Sequence, residues 1–256
     1  MTDFDDVLVS VDGPIRTVTL NRPEKRNALS VEMLEHATAA FSNRPGGDER
    51  VAVIRSVGTV FCAGIDLKQR LESPPPGTES PVEGLFAAVE EWPLPVVAVV
   101  QGDAIAGGNE LALHSDLVIA STKANFGMSL AQIGLAPTWF LAKKLLEVAG
   151  PVVTREILLM GDPLPAARLH ELGVISRVVS PHRLQAEADA VIGRLAANAP
   201  LSLRAIKALI NREMAFRDEI EHNDVDELVA AARDSEDARV GIAARLAGDV
   251  VDFQGR

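Results

Sequence analysis

Two β-rich runs open the chain, Val7-Leu8-Val9-Ser10-Val11 and Ile15-Arg16-Thr17-Val18-Thr19-Leu20, on either side of Asp12-Gly13-Pro14. Apolar runs flanking a turn signal predict a hairpin. Ser30 then stands where it can cap a helix whose Met33, Leu34, Ala37 and Phe41 recur at helical spacing, ended by the Pro45-Gly46-Gly47 stretch. Residues 51–54, 94–100 and 117–120 are apolar without alternation, the pattern of strands covered on both faces. Further on, 152–160 and 165–172 read as helices separated by Gly161-Asp162-Pro163, with Gly173 closing the second and 174–179 a further strand. From Pro181 the pattern is helical, most clearly over 201–214 and 224–246. These elements predict an α/β core over 1–196 and a helical region over 197–256. Residues 72–84 hold Pro74, Pro75, Pro76 and Pro81, a composition that suits a mobile surface loop rimming a site.

Composition narrows the function classes. Of 256 residues, 47% are hydrophobic and 24% charged, which fits a folded chain with a sizeable core. Acidic residues outnumber basic ones 36 to 25, a formal net charge of −11 that argues against broad binding to nucleic acid or anionic membrane. An anionic ligand would need a local basic pocket. The lone Cys62 rules out an internal disulfide and a cysteine-rich metal site, and His170, His182 and His222 lack metal-ligand spacing, so no metal is expected. Asp3, Asp5 and Asp6 near the start are unlike a signal peptide, and no apolar run is long enough to cross a bilayer. The expectation is a soluble protein of the reducing cytoplasm.

Candidate chemistry sits in two glycine-containing turns, Phe61-Cys62-Ala63-Gly64-Ile65-Asp66-Leu67 and the run from Gly102 to Leu113 that contains Ala106-Gly107-Gly108-Asn109-Glu110. Each follows an apolar strand and opens toward a helix. Small residues let a ligand approach the backbone, and the first N–H groups of a helix lack internal partners, so two such turns can form an oxyanion hole. Glu110, three residues after Gly107, falls on the same side as that turn and is an acid/base candidate. Spacing alone leaves open the plain alternative, in which the glycines allow close packing and Glu110 complements the helix dipole.

The segment Asn21-Arg22-Pro23-Glu24-Lys25-Arg26-Asn27-Ala28-Leu29, the run 61–67 and the run 102–116 occur in an order and at intervals that resemble the enoyl-CoA hydratase/isomerase, or crotonase, superfamily. Similarity continues through Ala124-Asn125-Phe126-Gly127, Gly134-Leu135-Ala136-Pro137 and Phe253-Gln254-Gly255-Arg256. The resemblance implies a ClpP/crotonase-like fold of repeated ββα units, a C-terminal helical trimerisation region, and homotrimers that pair into hexamers. It places the two oxyanion donors on the N–H groups of Ile65 and Gly107, aimed at the thioester oxygen of an acyl-CoA. Lys25, Arg26 and Ala28 fall on the segment that meets the CoA adenine and phosphates, with Ala63, Gly64, Asp66, Leu67 and Gly108 alongside. No cofactor is implied beyond the CoA of the thioester itself.

The sequence departs from the family at one decisive place. Its hydratases use two glutamates around a water, the first at Glu110 and the second shortly after the Phe-Gly pair, where this chain has Leu130. The stretch 128–139, which ends at the candidate pocket residue Trp139, contains no carboxylate. Leucine cannot accept a proton, so a two-glutamate hydration does not transfer. The first reading keeps Glu110 as sole acid/base for isomerisation or a slower hydration of an enoyl-CoA, its pKa raised by burial. The second makes the protein a non-catalytic acyl-CoA carrier or sensor. A third, with Cys62 as nucleophile and His114 as base, lacks an orienting group.

Overall fold

The hairpin forms between β1 (Val7–Asp12) and β2 (Ile15–Leu20), antiparallel with Asp12 opposite Ile15. Gly13 turns the corner at φ +53°, a left-handed conformation that glycine adopts without a Cβ clash. α1 (Val31–Ser42) starts at Ser30, whose Oγ accepts the Met33 N–H at 3.2 Å, and it buries Met33, Leu34, Ala37 and Phe41 as its spacing requires. The computed structural model describes residues 6–72, 80 and 82–256. The proline-rich segment expected to form a loop lies largely outside the described residues.

After α1 the chain runs through β3 (Val51–Ser56), α2 (Leu67–Glu72), α3 (Glu83–Glu91), β4 (Val96–Val100), β5 (Ala104–Ile105), α4 (Gly107–Leu113), β6 (Leu117–Ser121), β7 (Asn125–Gly127) and α5 (Trp139–Arg155). It continues with β8 (Leu164–Pro165), α6 (Ala166–Glu171), β9 (Arg177–Val179), α7 (Leu184–Ala196), α8 (Pro200–Met214), α9 (Asn223–Asp234) and α10 (Glu236–Ala247). The main sheet has the order β1-β2-β3-β4-β6-β9, parallel from β2 onward, and a smaller sheet joins β5, β7 and β8.

The strands without alternation are covered on both sides. Val51, Val53, Val97, Val99 and Ile119 pack under Leu184, Ala188 and Ile192 of α7. Their neighbours Ala52, Ile54, Val96 and Ala98 face a larger core with Met33, Phe41, Phe86 and Leu111. Period-two alternation of side chains therefore feeds two cores from one apolar run.

Three expected elements differ in extent. The strand over 174–179 shrinks to Arg177–Val179, because Gly173, at φ +77°, turns the chain and the Val174 N–H returns to the Leu169 carbonyl. The amphipathic stretch over 224–246 is two helices, divided where Ser235 caps α10 by accepting the Ala238 N–H at 2.9 Å. The helix expected over 152–160 is the end of α5, which breaks at Gly150 (φ +67°) before Pro151 and finishes in a π-helical turn.

The helical region packs back onto the core. α8 is pinned by the buried Lys207, whose Nζ donates to Asp116 Oδ2 at 2.7 Å and to the carbonyls of Val89 and Leu94. α10 comes so close to residues 133–134 that a Cβ on Gly241 would sit 2.6 Å from the Ile133 carbonyl carbon. Ala238 and Ile242 cluster there with Ile133, Leu135, Leu67 and Leu130.

Candidate active site

The two glycine turns meet. Leu29 pairs with the first as a short parallel bridge, its N–H donating to the Gly64 carbonyl at 2.7 Å and its own carbonyl accepting the Asp66 N–H at 2.9 Å. In a trans peptide the Gly64 carbonyl and the Ile65 N–H point in opposite directions, so the Ile65 N–H faces away from Leu29. On that side lies the second turn: a Cβ on Gly64 would fall 3.1 Å from the Gly107 nitrogen, and one on Gly107 would fall 3.6 Å from the Ile65 nitrogen.

Gly107 opens α4, so its N–H is one of the donors a helix leaves without an internal acceptor. Among the described residues neither of these two N–H groups donates a backbone hydrogen bond. Ala106 directs the Gly107 amide by adopting φ +48°, ψ −114°, a conformation seldom taken by a residue with a side chain and one that costs about 1–3 kcal/mol. The Ala106 N–H holds the turn by donating to the Gly127 carbonyl at 2.7 Å.

Three spaces with shared lining residues surround these amides, and Ile65 lines all of them. The outermost is a cleft of about 530 Å³ walled by Lys25, Arg26, Ala28, Ala63, Asp66 and Leu67, with Arg22 and Lys68 adding positive charge and Glu24 and Glu72 negative charge. Between Arg26 and Ala28 of that wall, Asn27 is fully buried at φ +53°, and its side-chain amide donates to the carbonyls of Val57 and Val60 at 2.9 Å each. A passage of about 280 Å³ runs past Ala106, Leu130 and Leu135 and shares walls with the cleft and with the third space. The innermost cavity, about 50 Å³, is bounded by Gly107, Met128, Leu130 and Leu141 and by two arginines, Arg70 and Arg233. Leu130 thus occupies the wall, and no carboxylate lines the innermost cavity among the described residues.

Glu110 sits one turn below the Gly107 amide, its N–H donating to the Ala106 carbonyl at 3.0 Å. The side chain is completely enclosed and does not line the cavity. Oε1 accepts from Asn109 Nδ2 at 3.3 Å, while Oε2 has no partner. Burial raises its carboxyl to about 8, against the pull of Asn109 and Lys144.

Other candidates are placed elsewhere. Gly108 faces the Cys62 segment rather than the ligand spaces: a Cβ there would lie 2.1 Å from the Cys62 carbonyl oxygen, so glycine is needed for α4 to pack on that segment. Trp139 is directed to the helical region, where its ring stacks on His222 at 4.4 Å, and it does not line these spaces. Cys62 is fully buried and burial pushes its thiol up to about 12, which removes it as a nucleophile. Glu147, another carboxylate of α5, lies in a separate cavity beside Lys144.

Sequence reasoning missed Arg70, Arg233 and Glu83, the last hydrogen-bonded to the cavity-wall residue Thr138. A signal existed for the arginines. Arg70 follows Leu67 by three and Arg233 follows the buried Val229 by four, so each cation interrupts an apolar helix face.

Comparison with known proteins places the chain in a family. Residues 11–247 match the profile of the enoyl-CoA hydratase/isomerase family. The enoyl-CoA hydratase EchA19 of Mycobacterium tuberculosis is 33% identical over 98% of this chain and 97% of its own length. The 1,2-epoxyphenylacetyl-CoA isomerase of Escherichia coli is 32% identical over 98% of both chains. Among solved structures, an enoyl-CoA hydratase from Mycobacterium avium subsp. paratuberculosis superimposes with a TM-score of 0.85, at 26% identity over 97% of this chain and 98% of that one. Fold, family profile and sequence identity along nearly the whole chain agree: this protein belongs to the enoyl-CoA hydratase/isomerase, or crotonase, superfamily.

Proposed function

We propose that the protein is an enzyme acting on enoyl-CoA thioesters, with the Ile65 and Gly107 amides gripping the thioester oxygen and Glu110 as the single acid/base. The observation that carries this reading is the pair of neighbouring N–H groups, without backbone acceptors, beside a cleft that holds Lys25, Arg26 and Lys68 and an apolar cavity, both lined by Ile65. The cleft suits the phosphates and adenine of CoA, and the cavity suits an acyl chain.

Deprotonation next to a thioester moves negative charge onto its oxygen. Fixed donors in a water-poor site favour that state, each by about 2.7–4 kcal/mol. For a 3-enoyl-CoA, the Glu110 carboxylate would take a proton from C2, giving a dienolate whose oxygen the amides hold. The same carboxyl would return the proton at C4, leaving the conjugated 2-enoyl-CoA. One carboxyl suffices, and a carboxyl that titrates near 8 supplies both forms near neutrality.

Isomerisation is preferred over hydration because Leu130 leaves that wall without a group to position and activate water. The relatives do not decide between them, since a hydratase and an isomerase match at nearly equal identity. The test is to supply crotonyl-CoA and a 3-enoyl-CoA separately, following loss of the conjugated absorbance in one case and its appearance in the other. Appearance with the 3-enoyl-CoA, abolished by Glu110→Gln, supports the proposal.

A second reading, a carrier or sensor of acyl-CoA, is favoured by the enclosure of Glu110 away from the cavity. Tight thioester binding without turnover of either substrate would select it. We further propose that the chain self-associates as a trimer or a pair of trimers through α8, which presents Leu201, Ile206, Leu209 and Ile210 to solvent. Light scattering of the intact protein measures this, and a monomer would exclude it.

A further inference from the structure

The innermost cavity contains more positive charge than a fatty acyl chain requires. Arg70 of α2 and Arg233 of α9 both line it, among Ile65, Val82, Met128 and Leu135. Arg70 is only 8% exposed, and its Nε is buried without a hydrogen-bond partner. Charged side chains are seldom buried this deeply unless paired, and an open donor on a buried cation is costly.

The two guanidinium groups also repel one another: burial first, and Arg233 after it, hold Arg70 down at about 10. Asp234 attracts both arginines and Glu83 attracts Arg233, but neither lines the cavity, and Glu83 accepts the Thr138 hydroxyl. Two cations around one apolar space, one with an open donor, describe an anion position. Guanidinium is the cation best shaped for a carboxylate, which it grips through parallel N–H donors.

We propose that the acyl group bound here carries its own carboxylate, seated between Arg70 and Arg233, so that the ligand is an ω-carboxyacyl-CoA rather than a simple fatty acyl-CoA. This rests on the reading that the Ile65 and Gly107 amides hold a thioester, which directs the acyl chain from those amides into the cavity. Arg70 and Arg233 then determine specificity, acting on the far end of the acyl group and not on the bond that reacts.

Binding tests this without requiring turnover. Calorimetric titration of the intact protein compares malonyl-, succinyl-, glutaryl- and adipyl-CoA with the methyl ester of each and with butyryl-CoA. At least one acid is expected to bind about ten-fold or more tighter than its own ester, the range of a buried charge-assisted hydrogen bond. Arg70→Met should erase that preference while leaving butyryl-CoA within about three-fold, and Arg70→Lys should restore only part of it. Arg233→Met provides a second route if the first variant melts early in a thermal scan. Equal affinity for acid and ester across the series overturns the ω-carboxylate and leaves the thioester reading intact; failure of every thioester, butyryl-CoA included, overturns both.

Discussion

His114 Nδ1 lies 2.8 Å from the backbone carbonyl of Glu110 and 3.7 Å from its carboxyl Oε2, with both side chains sealed from solvent. A carbonyl only accepts, so Nδ1 carries the proton and Nε2 presents its lone pair, 3.9 Å from Glu90 Oε2. The ring is held between Phe86 and Phe140, stacked at 5.1 and 5.0 Å. Burial, reinforced by Lys144, holds His114 down at about 3, so imidazole and Glu110 carboxyl face each other uncharged at neutral pH.

This pair predicts an opposed pH dependence of stability. Glu110 titrates at about 8 folded and near 4.5 unfolded, so the native state holds the extra proton in between; the associated stability is full below 4.5 and is lost as pH rises to 8. His114, at about 3 folded against 6.5 unfolded, contributes fully above 6.5 and loses its contribution as pH falls toward 3. Glu110→Gln removes only the first effect. The melting temperature of that variant minus that of the parent should therefore grow from pH 5 to pH 8 and level off above. A constant difference would place Glu110 in an ordinary solvated state.

In the proposed reaction the same carboxyl must be ionised to take a proton. kcat/KM for a 3-enoyl-CoA is expected to climb with pH and flatten near 8. Glu110→Gln should lower turnover by about two orders of magnitude or more while leaving thioester affinity within a few-fold. Unchanged turnover would remove Glu110 from the reaction.

Leu130 offers a gain-of-function test. It lines both the passage and the innermost cavity, so Leu130→Glu introduces a carboxylate beside the proposed thioester site. Hydration of crotonyl-CoA relative to isomerisation should rise by about a hundred-fold, the lower end of the range for added acid/base catalysis. A ratio that does not move would show that this wall is too far from the reacting carbon to activate water.

Gly108→Ala tests the contact that sets α4 against the Cys62 segment. The added methyl would meet main-chain atoms of Cys62 at 2.1 and 2.8 Å, which cannot rotate away. A loss of about 3 kcal/mol or more is expected in denaturant titration. Gly84→Ala on α3, where a Cβ meets nothing within 4 Å, should be neutral or slightly stabilising.

Much of the fold can be read from short-range pattern, because hairpin turns, helix caps and doubly covered strands leave marks within a few residues. Ser30, Gly13 and the valines of β3 and β4 show this. The small sheet leaves no such mark: strands of two or three residues, such as β5 and β7, have no period to detect. At the site, motif order located the Ile65 and Gly107 turns, whereas Arg70 and Arg233 are 163 positions apart and meet only through the docking of α9. Gly108 shows the opposite limit: it sits inside the motif, yet its role is steric and only coordinates reveal the Cys62 carbonyl beneath it.

That main-chain contact between Gly108 and Cys62 has a wider consequence. It clamps the turn bearing one proposed donor to the segment that leads to the other, through the Cys62 main chain and a position that tolerates only glycine. Substitutions at 70, 130 or 233 can accordingly redraw which molecule is welcomed without retuning the electrophile's cradle. A lineage that keeps two glycines fixed can diversify its substrates one wall residue at a time.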